Sequence, residues 1–217
     1  MNPEKFKMGN RPLSPDIAPC ITAEIGINHN GDLSLAKETI EAAAAAGADA
    51  VKFQTFRARE FMADRDLIYK YEPLNGKTRS ESMYDMFKRL ELPLEWHKEL
   101  KNYAKSRNVD FLSSAADADS ADLLIDLDVP AIKLASEDII NIPLLEHLSQ
   151  RDIPIILSCG MTDKDESKYA LNILKAGKPV NILLLHCTSL YPTPAKEVNL
   201  QKMVSIREKF NLPVGFS

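Results

Sequence analysis

The sequence predicts an α/β fold of the TIM-type (β/α)8 barrel, with seven strands present and the eighth expected beyond Ser217. Short β-branched and apolar runs alternate with longer amphipathic stretches. The pair repeats about every 30 residues, which implies parallel strands joined by right-handed crossovers. Polar residues collect at the C-terminal end of run after run: Glu24 and Asn28, Lys52 and Gln54, Ser113 and Ser114, Lys133 and Ser136, Ser158, and Thr188 to Tyr191. In a barrel such ends converge on one face and build one site. In a doubly wound sheet, which the alternation alone also allows, they would spread along a line.

Residues 1–19 read as an N-terminal arm and residues 20–217 as the barrel domain. The first strand is expected over Cys20–Gly26, followed by the turn cluster Asn28–Asp32. Asp32 is placed to cap a helix whose Leu33, Leu35, Ala36, Ile40 and Ala43 form one apolar face, and Gly47 is placed to end it. Further strands are expected over residues 50–55, 110–114, 131–136, 154–160, 181–188 and 213–217. Amphipathic helices are expected over residues 94–107, 163–176 and 200–210. The stretch 56–89, with an Asn75–Gly76 turn, is too long and polar for a βα loop and reads as a lid or substrate-facing insertion.

Composition excludes several classes. A chain of 217 residues, 45% hydrophobic and 27% charged, is long enough to bury a core without staples. Its net charge of -4, with no basic run, gives no footprint for nucleic acid. Cys20, Cys159 and Cys187 lack the even count and spacing of a disulfide or zinc framework and read as reduced, buried small residues. The N-terminus has no signal-peptide core, and no apolar run reaches the roughly 18 residues a membrane helix needs. The chain is therefore read as cytoplasmic.

Lys52 and Lys133 interrupt otherwise apolar strands, Ala50–Thr55 and Ala131–Ser136. A lysine buried there is costly without an anionic partner. That partner is either a carboxylate of the fold, Glu24 or Asp138, or a bound phosphate or carboxylate; a lysine that snorkels out of the barrel needs neither. Ser114, Ser136, Ser158 and Ser189 offer hydroxyls to the same anion. Glu24 reads equally as a salt-bridge partner and as a general acid or base. His97 and His147 fall in helices and read as structural. His29 and His186 stand at strand ends, where a histidine can ligate a metal or bond a substrate. No glycine-rich nucleotide loop is present.

Four motifs carry a family resemblance. Ala23-Glu24-Ile25-Gly26-Ile27-Asn28-His29-Asn30-Gly31 and Gly47-Ala48-Asp49-Ala50-Val51-Lys52-Phe53-Gln54-Thr55 resemble the opening of the N-acetylneuraminate (sialic acid) synthase family. Residues 156–161, Ile-Leu-Ser-Cys-Gly-Met, and 185–194, Leu-His-Cys-Thr-Ser-Leu-Tyr-Pro-Thr-Pro, resemble its fifth and sixth strand motifs, in matching order. The resemblance implies a TIM barrel followed by an antifreeze-like domain. It also implies condensation of phosphoenolpyruvate with an N-acetylmannosamine-type sugar, assisted by a divalent metal, Mn2+ or Mg2+, in a homodimer. By the same resemblance Lys52, Ser114, Lys133, Ser136, Ser158, Ser189 and Ser217 surround phosphoenolpyruvate. Glu24, Gln54, Asp138 and Tyr191 face the sugar or the reacting carbons.

Two departures stand out. Ser136-Glu137-Asp138 replaces a family Ser-Gly-Glu, which alters the sugar end of the site. The family's metal-ligating histidines would fall after Ser217, so no metal ligand is expected within the chain, and residues 1–217 alone are expected to be inactive. Two other readings remain: a non-catalytic phosphoenolpyruvate-binding fragment that needs a separate C-terminal part, and a related synthase making another ulosonic acid.

Overall fold

The computed structural model describes residues 6–14, 16–72 and 76–217. They form two compact units, residues 22–111 and residues 112–217, the second joined by the stretch that ends at Ile21. The N-terminal arm, read over residues 1–19, holds two short strands. β1 (Phe6–Met8) and β2 (Arg11–Leu13) form an antiparallel hairpin. Phe6 and Met8 are buried, and Gly9, at φ +57, donates its N–H to Pro130 O at 3.1 Å.

The 22–111 unit opens with β3 (Thr22–Gly26) and α1 (Leu33–Ala45). The Asp32 carboxylate accepts the N–H groups of Ser34 and Leu35 at 2.8 and 3.2 Å, which satisfies donors that a helix start leaves free. Ala36 and Ile40 face inward, and Gly47, at φ +85, follows the last turn. β4 (Ala50–Thr55) runs parallel to β3 and is buried at every position except the half-buried Gln54.

The long insertion is not an irregular loop. It holds α2 (Ala58–Phe61), the antiparallel strands β5 (Ile68–Tyr71) and β6 (Arg79–Ser82), and α3 (Met83–Leu90). Phe56, Phe61 and Phe87 pack ring to ring at 5.0 to 5.7 Å, a small apolar centre within a segment expected to be polar. Glu81 accepts from Tyr71 Oη at 2.7 Å and from both Arg89 terminal nitrogens, which holds its carboxyl down to about 2. Asn75, half of the expected turn, lies outside the described residues. α4 (Leu94–Ser106) then leads to β7 (Asp110–Ala115), whose first two residues belong to this unit. Phe111 stacks on Phe53 at 5.4 Å.

The 112–217 unit continues β7 and adds α5 (Ala118–Asp126), β8 (Ile132–Leu134), a 3-10 turn over Glu137–Ile140, α6 (Ile142–Ser149) and β9 (Ile155–Ser158). α7 (Lys164–Ala176), β10 (Ile182–His186), α8 (Ala195–Val198), α9 (Gln201–Phe210) and β11 (Val214–Phe216) complete it. β7, β8, β9, β10 and β11 lie side by side in chain order, all parallel, as repeated βα units require. Ile132, Leu134, Ile155, Leu157 and Leu184 of these strands are buried, as are Leu124, Leu145 and Leu174 of the helices. Asp163 caps α7 in a reciprocal box with Glu166.

Several expected strands are shorter in the structure. Residues 131–136 contract to Ile132–Leu134, 154–160 to Ile155–Ser158, 181–188 to Ile182–His186 and 213–217 to Val214–Phe216. Among the residues outside the shortened strands, Ser136 accepts the Gly160 N–H and Ser217 donates its N–H to His186 O. The three cysteines are free but half-buried, not fully buried as expected. Among the described residues no helix is long and apolar enough to cross a membrane.

Candidate active site

In the 22–111 unit the pairing of β3 with β4 sets Glu24 beside Lys52. Lys52 Nζ lies 2.7 Å from Glu24 Oε2, with the lysine side chain 7% exposed and the glutamate side chain 52% exposed. The register then shifts at Gly26, a bulge that turns the strand end. Gly26 has φ +56, and a Cβ there would lie 3.1 Å from Glu24 Oε1 and 3.6 Å from Gln54 Nε2. Glycine thus lets the backbone come close to two of the expected polar residues. Glu24, Lys52 and Gln54 meet at one strand end.

The two histidines of this unit have different roles. His97 is buried and satisfied: its Nδ1–H donates to Pro93 O at 3.0 Å, and Nε2 lies 2.8 Å from Thr55 Oγ1. His29 is also fully buried, between the rings of Phe53 and Trp96. Its Nδ1 accepts the Gly31 N–H at 3.1 Å, and Nε2 has no hydrogen-bond partner among the described residues. Burial lowers its pKa, so the ring is neutral near pH 7 with its proton on Nε2.

In the 112–217 unit the register places Ser114 directly beside Lys133. Lys133 is half-buried and has no ion pair among the described residues. Beyond β8, the Ser136 hydroxyl accepts the Gly160 N–H at 3.0 Å. A Cβ on Gly160 would lie 2.9 Å from Ser136 Oγ, 3.1 Å from Ser189 Oγ and 2.8 Å from Cys187 Cβ. The ends of three neighbouring strands therefore close on a glycine that admits no side chain. Sequence reading passed over Gly160, although its place after Ser158-Cys159 was the available signal. Ser158 is buried on β9, and its Oγ has no partner among the described residues.

Asp138 is buried and turned toward its own chain: its carboxylate accepts the Ala135 N–H at 3.1 Å. Burial pushes this carboxyl up to about 6, with Glu137 adding to the rise and Lys133 opposing it. Tyr191, next to a cis peptide bond to Pro192, is 92% exposed. Ser217 is exposed, and its N–H donates to His186 O at 3.0 Å.

The arrangement suits an anion. Lys133 supplies charge and Ser114, Ser136, Ser158 and Ser189 supply hydroxyls; Ser136 and Ser158 are buried, which strengthens their bonds, whereas Lys133 and Ser114 are half-buried and Ser189 is exposed. It does not suit a metal. Among the described residues no three His, Cys, Asp or Glu side chains come together to hold an ion. His186, a candidate from its strand-end position, donates Nε2–H to Val198 O at 2.7 Å, and His29 is enclosed by aromatic rings.

Known proteins match this chain closely. The NeuB family model matches residues 39–217. An N,N'-diacetyllegionaminic acid synthase of Campylobacter jejuni is 45% identical over 199 residues, which is 91% of this chain and 59% of that protein. Human N-acetylneuraminate-9-phosphate synthase is 36% identical over 202 residues, 92% of this chain and 55% of that protein. The chain thus spans less than two thirds of the length of these relatives. The solved structure of an N-acetylneuraminic acid (sialic acid) synthetase from Leptospira borgpetersenii, in complex with citrate, superimposes with a TM-score of 0.86 at 30% identity. It covers 98% of this chain and 69% of the synthetase chain, which establishes the TIM-type barrel fold. By its matched length, its relatives and its strand-end motifs, the chain belongs to the NeuB family.

Proposed function

We propose that this chain is the barrel of a nonulosonic acid synthase. C3 of phosphoenolpyruvate bonds to the aldehyde carbon of an open-chain N-acetylated amino sugar, whose oxygen takes up a proton. Water adds at C2, and phosphate leaves with the C2–O bond as the ketone forms. The reading is carried by Lys133 set beside Ser114, in the same unit where Ser136 and Ser189 meet at Gly160. A half-buried cation next to hydroxyls is the chemistry that a phosphate ester or carboxylate requires. Lys52 contributes a second cation, and Ser158 and Ser217 further hydroxyls.

Glu24, Gln54, Asp138 and Tyr191 are proposed for the sugar and the reacting carbons. Glu24 keeps a half-exposed carboxylate held by Lys52, an arrangement that can hold or pass a proton. Asp138 holds its proton into the range where a carboxylic acid can donate near neutral pH. A divalent ion, Mn2+ or Mg2+, a homodimer and a cytoplasmic location belong to the same proposal for the full-length protein.

Two relatives named as N,N'-diacetyllegionaminic acid synthases, 45% and 41% identical, favour a diacetamido-trideoxyhexose as the sugar. The test incubates the full-length protein with phosphoenolpyruvate and, in turn, that sugar, N-acetylmannosamine and N-acetylmannosamine 6-phosphate. Phosphate release and nonulosonic acid are measured together. Turnover is expected to be highest with the diacetamido sugar. A different best sugar would reassign the substrate, and no phosphoenolpyruvate-dependent product with any of the three would overturn the proposal.

A further inference from the structure

A second candidate anion site lies away from the strand ends, on two helices of the 112–217 unit. α7 and α9 enclose a groove of about 260 Å³ lined by Lys168, Leu171, Asn172, Lys175, Lys209 and Phe210. Lys168, Asn172 and Lys175 stand four and three residues apart, so they form one stripe of α7. Lys209 enters from the last turn of α9. The lining thus holds three ammonium groups and no carboxylate, in a chain whose net charge is -4. None of the three lysines pairs with a carboxylate among the described residues.

The bland explanation is that lysines near helix C-termini answer the negative end of the helix dipole. It accounts for Lys175 and Lys209, each in a last turn. It does not account for Lys168, in the first half of α7, nor for all three lining one groove. Three cations held in a concavity repel one another, and an anion placed among them relieves that repulsion.

The geometry points to a small molecule bearing two or three linked phosphates. Lys168 and Lys175 are seven residues apart, roughly 10 Å along the helix axis. One phosphate does not bridge that span as well as a diphosphate does. Asn172, between them, adds an amide that can donate to a bridging oxygen. Leu171 is buried and Phe210 half-buried, so the groove also offers an apolar wall to an organic group attached to the phosphates. No lining residue belongs to the strand-end group around Lys133.

The test uses inorganic pyrophosphate and orthophosphate, titrated calorimetrically into the full-length protein at low and physiological salt. Pyrophosphate is expected to bind at least tenfold more tightly than orthophosphate, and more weakly as salt rises. The triple variant Lys168→Gln/Lys175→Gln/Lys209→Gln should weaken pyrophosphate at least tenfold. These side chains are exposed, so the melting temperature should hold. Lys168→Glu alone, a change within an exposed helix face, should weaken binding more than Lys168→Gln. Lys133→Met should leave pyrophosphate affinity unchanged, which separates this groove from the proposed synthase site. The inference is overturned if pyrophosphate does not bind at millimolar concentration, if the triple variant binds as well as the parent, or if Lys133→Met alone abolishes binding.

Discussion

The two units solve one problem in two ways. Each carries a lysine in an apolar strand, Lys52 in the 22–111 unit and Lys133 in the 112–217 unit. Lys52 is almost fully buried and already has a carboxylate, Glu24, at 2.7 Å. Lys133 is half-buried, has a serine beside it, and has no ion pair among the described residues. The nearby carboxyl of Asp138 is occupied with the Ala135 N–H and is partly protonated near pH 6. The same sequence signal thus marks a cation that an anion must share and one that an anion can meet directly.

That contrast predicts unequal losses. Lys133→Met should weaken phosphoenolpyruvate binding by the upper end of what one charge-assisted contact is worth, roughly a hundredfold. Lys52→Met should cost only about tenfold, because its charge is shared with Glu24. It should also leave the fold intact, since methionine suits a buried strand position and the half-exposed Glu24 can return to water. Glu24→Gln should reduce turnover roughly a hundredfold or more, the usual scale for proton transfer, without weakening phosphoenolpyruvate. Titration of all three variants in the full-length protein settles the comparison. Equal losses at the two lysines would erase the distinction between the units. A Glu24→Gln protein that melts far lower yet turns over normally would make that pair structural.

The barrel strands were legible in the sequence because period and polarity reinforced each other. Ala50–Thr55 matches residue for residue, and the Asp32 cap and Gly47 stop are where helix chemistry puts them. Strand ends were not legible. Ser136 starts a 3-10 turn and Ser158 ends its strand, and a polar residue looks the same whether it closes a ladder or leaves it. The apolar centre of the insertion was not legible, because it rests on Phe56, Phe61 and Phe87, spread over some 30 residues and showing no period. Among the site residues, the sequence suggested Glu24 as a partner for Lys52, but only the β3–β4 register sets the two side by side. Gly160 was missed because its importance is steric, and sterics appear only when neighbouring strands are in place.

Asp138 sharpens the comparison through pH. Its folded pKa is raised from 3.8 to about 6, mainly by burial. The folded protein therefore holds this proton more tightly than the unfolded chain does. The contribution is fully present below about pH 4 and is lost as pH rises through 6. Asn keeps an oxygen to accept the Ala135 N–H and removes the buried charge. Asp138→Asn should thus gain stability over the parent as pH rises from 4 to 7, by up to about 3 kcal/mol, read as a melting-temperature difference that grows with pH. A difference independent of pH would mean that the carboxyl is not titrating in its buried place.

The smallest expected effect separates a binding hydroxyl from a packing one. Ser136 and Ser158 are both buried serines of the Lys133 unit, yet among the described residues Ser136 alone of the two has a partner, the Gly160 N–H. Ser136→Ala would strand that amide on a half-buried glycine, at a cost of about 1 kcal/mol, the low end for an unpaired donor. Ser158→Ala removes a hydroxyl that has no partner among the described residues, so it should hold stability within about 0.5 kcal/mol or raise it slightly. If Ser158 serves the anion, the same change should weaken phosphoenolpyruvate severalfold, up to about tenfold, the worth of one hydrogen bond to a charged group. Melting curves and phosphoenolpyruvate titrations of the two alanine variants decide the matter. Lower stability with unchanged affinity at Ser158 would return it to the core. Unchanged stability with weaker binding would set its hydroxyl against the ligand, and the 112–217 unit would then hold an anion with a side chain that the fold itself does not use.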